Sequence, residues 1–191
     1  MLTINKNYSK RLWVVDDFYI DIGGMVDFGW KQEFVYGQVD GGIPGRYTKE
    51  KFLLPGVKDA FENIIGKRIV NWETVPLNGR YKINYNSDIP YVGCEDYSYA
   101  GIVFLTYQLS PYPNGFNLLV HKDTGNYKRS QPVSQEQLLD INNFDVADSV
   151  GYQTNRLILF DPQYYHTIPN YYGQESGGGW DGFLTQVFYF D

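Results

Sequence analysis

The apolar positions along this chain change period once. Residues 21–37 (DIGGMVDFGWKQEFVYG) and 47–69 (YTKEKFLLPGVKDAFENIIGKRI) carry helix-like spacing, whereas beyond residue 69 short apolar runs are cut by Pro, Gly, Asn and Asp. In the first segment Met25, Phe28 and Gln32 recur at helical intervals, but the glycines among them weaken the pattern. The second is the clearest helix. Val57, Phe61, Ile64 and Ile65 line one face, Pro55 suits a first helical turn, and Gly66 suits a C-terminal cap. Before either of them, RLWVVDDFYI (11–20) reads as a strand running into a turn.

The remaining strand candidates are RIVNWETV, GRYKINYN, YAGIVFLTYQL, GFNLLVHK, DVADSVGY, NRLILFD, YYHTIPNYY and GFLTQVFYF. Within GRYKINYN, Tyr81, Ile83 and Tyr85 alternate, which predicts one buried face. The polar stretch 128–143 predicts a long loop with at most one helical turn, and the glycine-rich ESGGGWDG (175–182) predicts a hairpin loop. A helix-bearing N-terminal third followed by these strands predicts one mainly β (α+β) domain over residues 1–191. Its expected architecture is a sandwich or jelly roll braced by an N-terminal helix.

Composition supports that picture. Of 191 residues 18% are aromatic, with 18 Tyr and 12 Phe, and such side chains favour pleated, half-buried surfaces. The formal net charge is −6 and the 16 basic residues are scattered, which argues against a nucleic-acid groove. No run approaches the ~18 apolar residues a membrane helix needs, and the first residues lack the apolar core of a signal peptide. Cys94 is the only cysteine, so no intramolecular disulfide can form, and a buried, inert thiol in a reducing compartment is expected. The expected location is therefore cytoplasmic, or a virion for a phage-encoded chain.

The chain has two histidines, His121 and His166. His121 stands in an H-x-D arrangement with Asp123, and residues i and i+2 of a strand share a face. With His166 they would supply two imidazoles and one carboxylate, the donor set of a mononuclear non-haem Fe(II) site. The same residues also read as a β-turn, since KDTG has Asp and Gly in suitable places. Neither a nucleophile elbow nor a phosphate-cradling glycine loop is present.

Several ordered strings carry a family likeness. LWVVDDFY, GRYTKEKFLLPGVKDAFENIIGKRIVNWE, NGRYKIN, YAGIVFLT, HKDTG and NRLILFDPQYYH…YYG…GFLTQVFYFD together resemble small Fe(II)/2-oxoglutarate-dependent oxygenases of the prolyl-hydroxylase-like class, of phage and bacterial type. The likeness spans roughly residues 12–191 and implies a double-stranded β-helix, also called a jelly roll or cupin-like fold. It implies that His166 is the distal iron ligand. Counting back from Tyr99, the family's H-x-D falls on Gly93, Cys94 and Glu95, so a glycine replaces the ligand histidine and a glutamate the aspartate. His121 then belongs to a later HK-x-T segment rather than to the metal site. Phe183 stands where the family carries a basic residue, usually Arg, that binds the far carboxylate of 2-oxoglutarate.

These departures imply an oxygenase fold without oxygenase chemistry, a pseudoenzyme that binds neither Fe(II) nor 2-oxoglutarate. Its expected role is a structural or binding module, virion-associated in a phage, with a protein partner or self-assembly and no nucleic acid or membrane. The aromatic segments near 110–115 and 162–173 would furnish contacts or fill the core. The rival reading is an active Fe(II)- and 2-oxoglutarate-dependent hydroxylase using a rearranged site, either His121, Asp123 and His166 or Glu95 with His166. A third reading keeps the jelly roll as a sugar- or peptide-binding module.

Overall fold

A computed structural model describes residues 12–39, 43–85, 87–88, 90–107, 115–128, 140–169 and 182–191. The first described strand, β1 (Leu12–Val15), runs into a turn at Asp17 and then α1 (Ile22–Trp30), whose first turn is capped by Asp21 accepting from Gly24 N at 2.9 Å. A hairpin of β2 (Phe34–Val39) and β3 (Ile43–Thr48) follows, then α2 (Val57–Ile65). The rest is β4 (Arg80–Asn84), β5 (Tyr99–Phe104), β6 (Phe116–His121), β7 (Phe144–Val150), β8 (Leu157–Phe160), β9 (His166–Thr167) and β10 (Phe183–Phe190). A short 3-10 turn (Ile141–Asn143) precedes β7.

Seven strands form one antiparallel sheet in the order β1-β8-β5-β10-β4-β3-β2, and three form a smaller antiparallel sheet, β7-β6-β9. Side chains alternate across each strand, so the large sheet has two distinct faces. One packs on the helices: Phe61 of α2, Tyr81 and Ile83 of β4, Val103 of β5 and Phe188 and Phe190 of β10 form one buried cluster. The opposite face packs toward the small sheet through Ile102, Phe104, Ile158, Phe160, Phe183, Val187 and Tyr189, which meet Phe116 of β6. The fold is thus mainly β, with two helices and two packed antiparallel sheets, consistent with a jelly-roll class.

Four expectations change. Both N-terminal segments are helical over nine residues each, because Asp21 supplies the cap that offsets the glycines of α1. The segment RIVNWETV is not a strand: its backbone turns, with Val75 N reaching Asn71 O and Asn78 N reaching Val75 O, while Ile69, Trp72 and Val75 are buried. β4 is buried on both faces, not one, because it lies third from the edge between β3 and β10. Cys94 is half-buried rather than buried, its thiol donating to Gln163 O at 3.3 Å. Residues 129–139 and 170–181, which include most of the two expected loops, lie outside the described residues, as do 108–114.

Candidate functional site

The site lies on the inner face of the large sheet, where a length of chain after β4 runs beside β9. Gly93 and His166 form an antiparallel bridge, with Gly93 N donating to His166 O at 2.8 Å and His166 N to Gly93 O at 3.2 Å. Glu95 N donates to Pro162 O at 2.9 Å, and the Thr167 hydroxyl to Tyr91 O at 2.8 Å. This zipper places residues 93 and 95 on the side of His166.

The His166 ring is wedged between Phe116 and Phe160, with ring centroids 5.7 and 4.7 Å away. Its Nδ1 lies 2.8 Å from Tyr164 O, which fixes the tautomer: Nδ1–H donates and Nε2 presents a lone pair. Glu95 Oε2 sits 3.3 Å from that Nε2, and both side chains are under 10% exposed. The contact is not aligned as a hydrogen bond, and Oε2 has no hydrogen-bond partner. Burial pushes the Glu95 carboxyl up to about 8, against the pull of the Lys82 ammonium. Burial also lowers the His166 imidazole to about 4. Burial thus favours the protonated acid on Glu95 and the neutral imidazole on His166.

Gly93 completes the corner. A Cβ at this position would lie 2.4 Å from His166 Nε2 and 2.9 Å from Glu95 Oε1. The space into which a ligand side chain would point is taken by the other two residues. A facial Fe(II) site needs three protein donors; here an imidazole and a carboxyl converge, and the third position is backbone alone. The residues do not fit that centre as they stand.

The alternative grouping does not assemble. His121 ends β6, packs edge-on against Phe144 with centroids 5.1 Å apart, and accepts from Asp123 N at 3.3 Å. Asp123 is exposed in the turn that Gly125 N closes onto His121 O at 2.8 Å. Among the described residues, no group of three or more His, Cys, Asp or Glu could hold a metal ion, so His121, Asp123 and His166 do not meet around one.

Phe183 is fully buried on the same inner face, against Phe104 and Tyr152. A charge is nevertheless present beside it. The strand register sets Phe183 opposite Asn84 and Thr185 opposite Lys82, so Lys82 enters the same face from the neighbouring strand. Its ammonium lies 3.4 Å from the Tyr91 hydroxyl, 4.7 Å from the centre of the Tyr91 ring and 5.3 Å from that of Tyr47. Burial lowers the amine to about 8, while Glu95 and Asp88 oppose that shift. Lys82, Tyr91, His166, Thr167, Thr185 and Tyr189 line a small cavity of about 30 Å³. The expectation that this face had lost its cation overlooked Lys82, because a lysine between Tyr81 and Ile83 reads as the solvent side of a half-buried strand.

No protein-family profile matches the chain, and no curated protein matches it in sequence. A solved structure shares its fold: HygX from Streptomyces hygroscopicus, determined with nickel, 2-oxoglutarate and hygromycin B bound. The superposition covers 92% of this chain and 81% of HygX, with a TM-score of 0.56 and 13% sequence identity. Among the described residues, no helix is long and apolar enough to cross a membrane.

Proposed function

We propose that this chain keeps the double-stranded β-helix of the Fe(II)/2-oxoglutarate oxygenases without their chemistry and serves as a binding or structural module. The likeness to HygX supports the fold, and the site supports the loss. One observation carries the reading: Gly93 offers no donor side chain, and the ends of His166 and Glu95 lie 2.4 and 2.9 Å from where its Cβ would be. In a site that had merely lost a side chain, the vacated space would remain. Here Glu95 and His166 close upon it, and burial holds a proton on Glu95 where a cation would otherwise balance a carboxylate. Loss of one protein donor weakens a metal site more than the ~10–100-fold expected from an outer partner.

A second reading has one observation in its favour. Glu95 Oε2 is buried without a hydrogen-bond partner and faces an imidazole lone pair, an arrangement a divalent cation bound by Glu95 and His166 would satisfy. Anaerobic calorimetry with Fe(II) or Mn(II), followed by a succinate-release assay with 2-oxoglutarate, separates the two. The proposal expects no micromolar metal binding and no succinate. Micromolar binding with turnover would establish the hydroxylase instead.

A further inference from the structure

At one end of the seven-stranded sheet β2 pairs with β3 alone, in unbroken register from Phe34 opposite Thr48 to Val39 opposite Ile43. Along an antiparallel pair, residues that exchange both main-chain hydrogen bonds with the partner alternate with residues that turn them away. Pro44, opposite Gln38, has no N–H to give, so Gln38 belongs to the second set. Lys49 N donates to Glu33 O at 3.0 Å, which continues the first set one step before the strand. The two observations agree on the phase. Residues 33, 35, 37 and 39 bond to β3, whereas Phe34, Tyr36 and Gln38 present N–H and C=O outward. Among the described residues, no main-chain group pairs with the outward groups of Phe34 or Tyr36.

An open main-chain edge is a template for another strand, and most edges carry a device against it. Three edges of this fold do. β1 is four residues long, β9 is two residues long and bridged by Gly93, and β7 carries Asp145 and Asp148 beside a bulge in its pairing. The fourth does not. The β2 sequence, FVYGQV, contains neither charge nor proline, and Val35 and Tyr36 are 40% and 74% exposed. The charges beside it are balanced within the chain: Arg46, stacked 5.1 Å from the Tyr36 ring, pairs with Asp88 at 2.7 Å, and Lys49 pairs with Glu33 at 3.8 Å. Two chains that each carry a net charge of −6 therefore meet here at a neutral strip.

We propose that β2 is a dimerisation edge, through which two copies of this chain pair antiparallel across a two-fold axis at Tyr36 and join their large sheets. The outward residues are spaced evenly about Tyr36. A second β2 in this register sets Tyr36 opposite Tyr36 and residue 34 opposite residue 38, so every outward N–H meets an outward carbonyl. The same register places the exposed Val35 against Gly37, which has no side chain to obstruct it, and brings no like charges face to face along the strand. A two-fold contact of this kind closes on itself. The inference goes beyond the reading above and holds whether or not Glu95 and His166 take a metal.

The test is sedimentation velocity on the full chain over a wide range of concentration. A monomer–dimer equilibrium is expected with a Kd of about 10–100 μM, weak because a single strand pair buries little surface. Tyr36→Lys sets two ammonium groups across the axis and should weaken the dimer at least ~10-fold, since like charges directly opposite repel. Tyr36→Pro deletes the outward N–H and should do the same; Tyr36→Lys, at an exposed position, carries the test if the proline variant fails to fold. The register has its own readout. With Cys94→Ser, Tyr36→Cys should cross-link on mild oxidation, because hydrogen-bonded opposite residues lie about 5.5 Å apart at Cα, within disulfide reach. Val70→Cys, at a position 83% exposed, should not. A monomer up to about 1 mM, a dimer indifferent to both Tyr36 variants, equal cross-linking at 36 and 70, or growth beyond the dimer would each overturn the proposal. So would a chain that stays monomeric yet takes up a foreign extended peptide along β2.

Discussion

The two faces of the large sheet use the same strands to opposite ends. On the helix side, Phe61 packs against Trp72, Phe188 and Phe190 with centroids 5.0–5.6 Å apart, and among the described residues the buried side-chain polar atoms there have partners. Gln186 illustrates this: its amide donates to Phe52 O and Gly79 O at 3.1 Å each, and its oxygen accepts from the Tyr19 hydroxyl at 2.5 Å. On the inner side, Glu95 Oε2 is buried without a hydrogen-bond partner, and the buried Lys82 ammonium makes a 3.4 Å contact to the Tyr91 hydroxyl. A fold that satisfies Gln186 so completely on one face does not neglect its neighbours for want of means. Buried titratable groups gathered at a cavity are the kind of arrangement a binding site assembles, and structural charge networks produce it as well.

The sharpest way to break this contrast is through the helix face. Phe61→Ala should cost about 3–5 kcal/mol, since a fully buried ring leaves a cavity; urea unfolding measures it, and a loss under 1 kcal/mol would show that this cluster is not the core. Lys82→Met should do the reverse and stabilise by about 3 kcal/mol at pH 7. The sign follows from a folded-state pKa of about 8 below the usual 10.5. Below pH 8 the folded chain bears the whole penalty of burying the ammonium. Between about 8 and 10.5 the unfolded chain binds the extra proton, so native stability rises with pH and the advantage of methionine fades. Thermal melts of both proteins at pH 6.5 and 10 check this, and a pH-independent difference would refute it. Gln186→Leu, a polar-to-apolar exchange of similar bulk on the matched face, should destabilise by about 2 kcal/mol by stranding the Tyr19 hydroxyl and Phe52 O, while Gly79 O keeps the Phe52 amide. Opposite signs for Lys82→Met and Gln186→Leu are the core of the comparison. Last, His121→Ala should cost under about 1 kcal/mol, the worth of one aromatic pair at a strand end, and leave any metal titration unchanged.

Much of the framework was legible in the sequence. Gly66 and the Val57-Phe61 spacing define α2, with Gly66 left-handed at its end. Apolar runs interrupted by turns locate β1, β4 to β8 and β10. The proximity of Gly93 and Glu95 to His166 followed from the order of strings around YAGIVFLT rather than from the more conspicuous H-x-D. The β2–β3 hairpin was not legible, because Gly37, Pro44 and Gly45 interrupt any strand pattern there. RIVNWETV misled because Ile, Val, Trp and Thr all favour strands, whereas its buried residues Ile69, Trp72 and Val75 fall three apart, a spacing that suits a turning backbone rather than the two-residue alternation of a strand. Lys82 was missed for a deeper reason. Periodicity tells which residues share a face, but whether the second face is covered depends on where the strand sits in the sheet, and that is a property of topology.

The bridge between Gly93 and His166 bears on how such a site can change. Its two hydrogen bonds run through main-chain atoms alone, so the corner is held together by groups that every residue except proline possesses. That support does not depend on the side chains hung on it, although Gly93 admits none while His166 and Glu95 keep their places. A scaffold of this kind separates what holds the corner together from what the corner can hold.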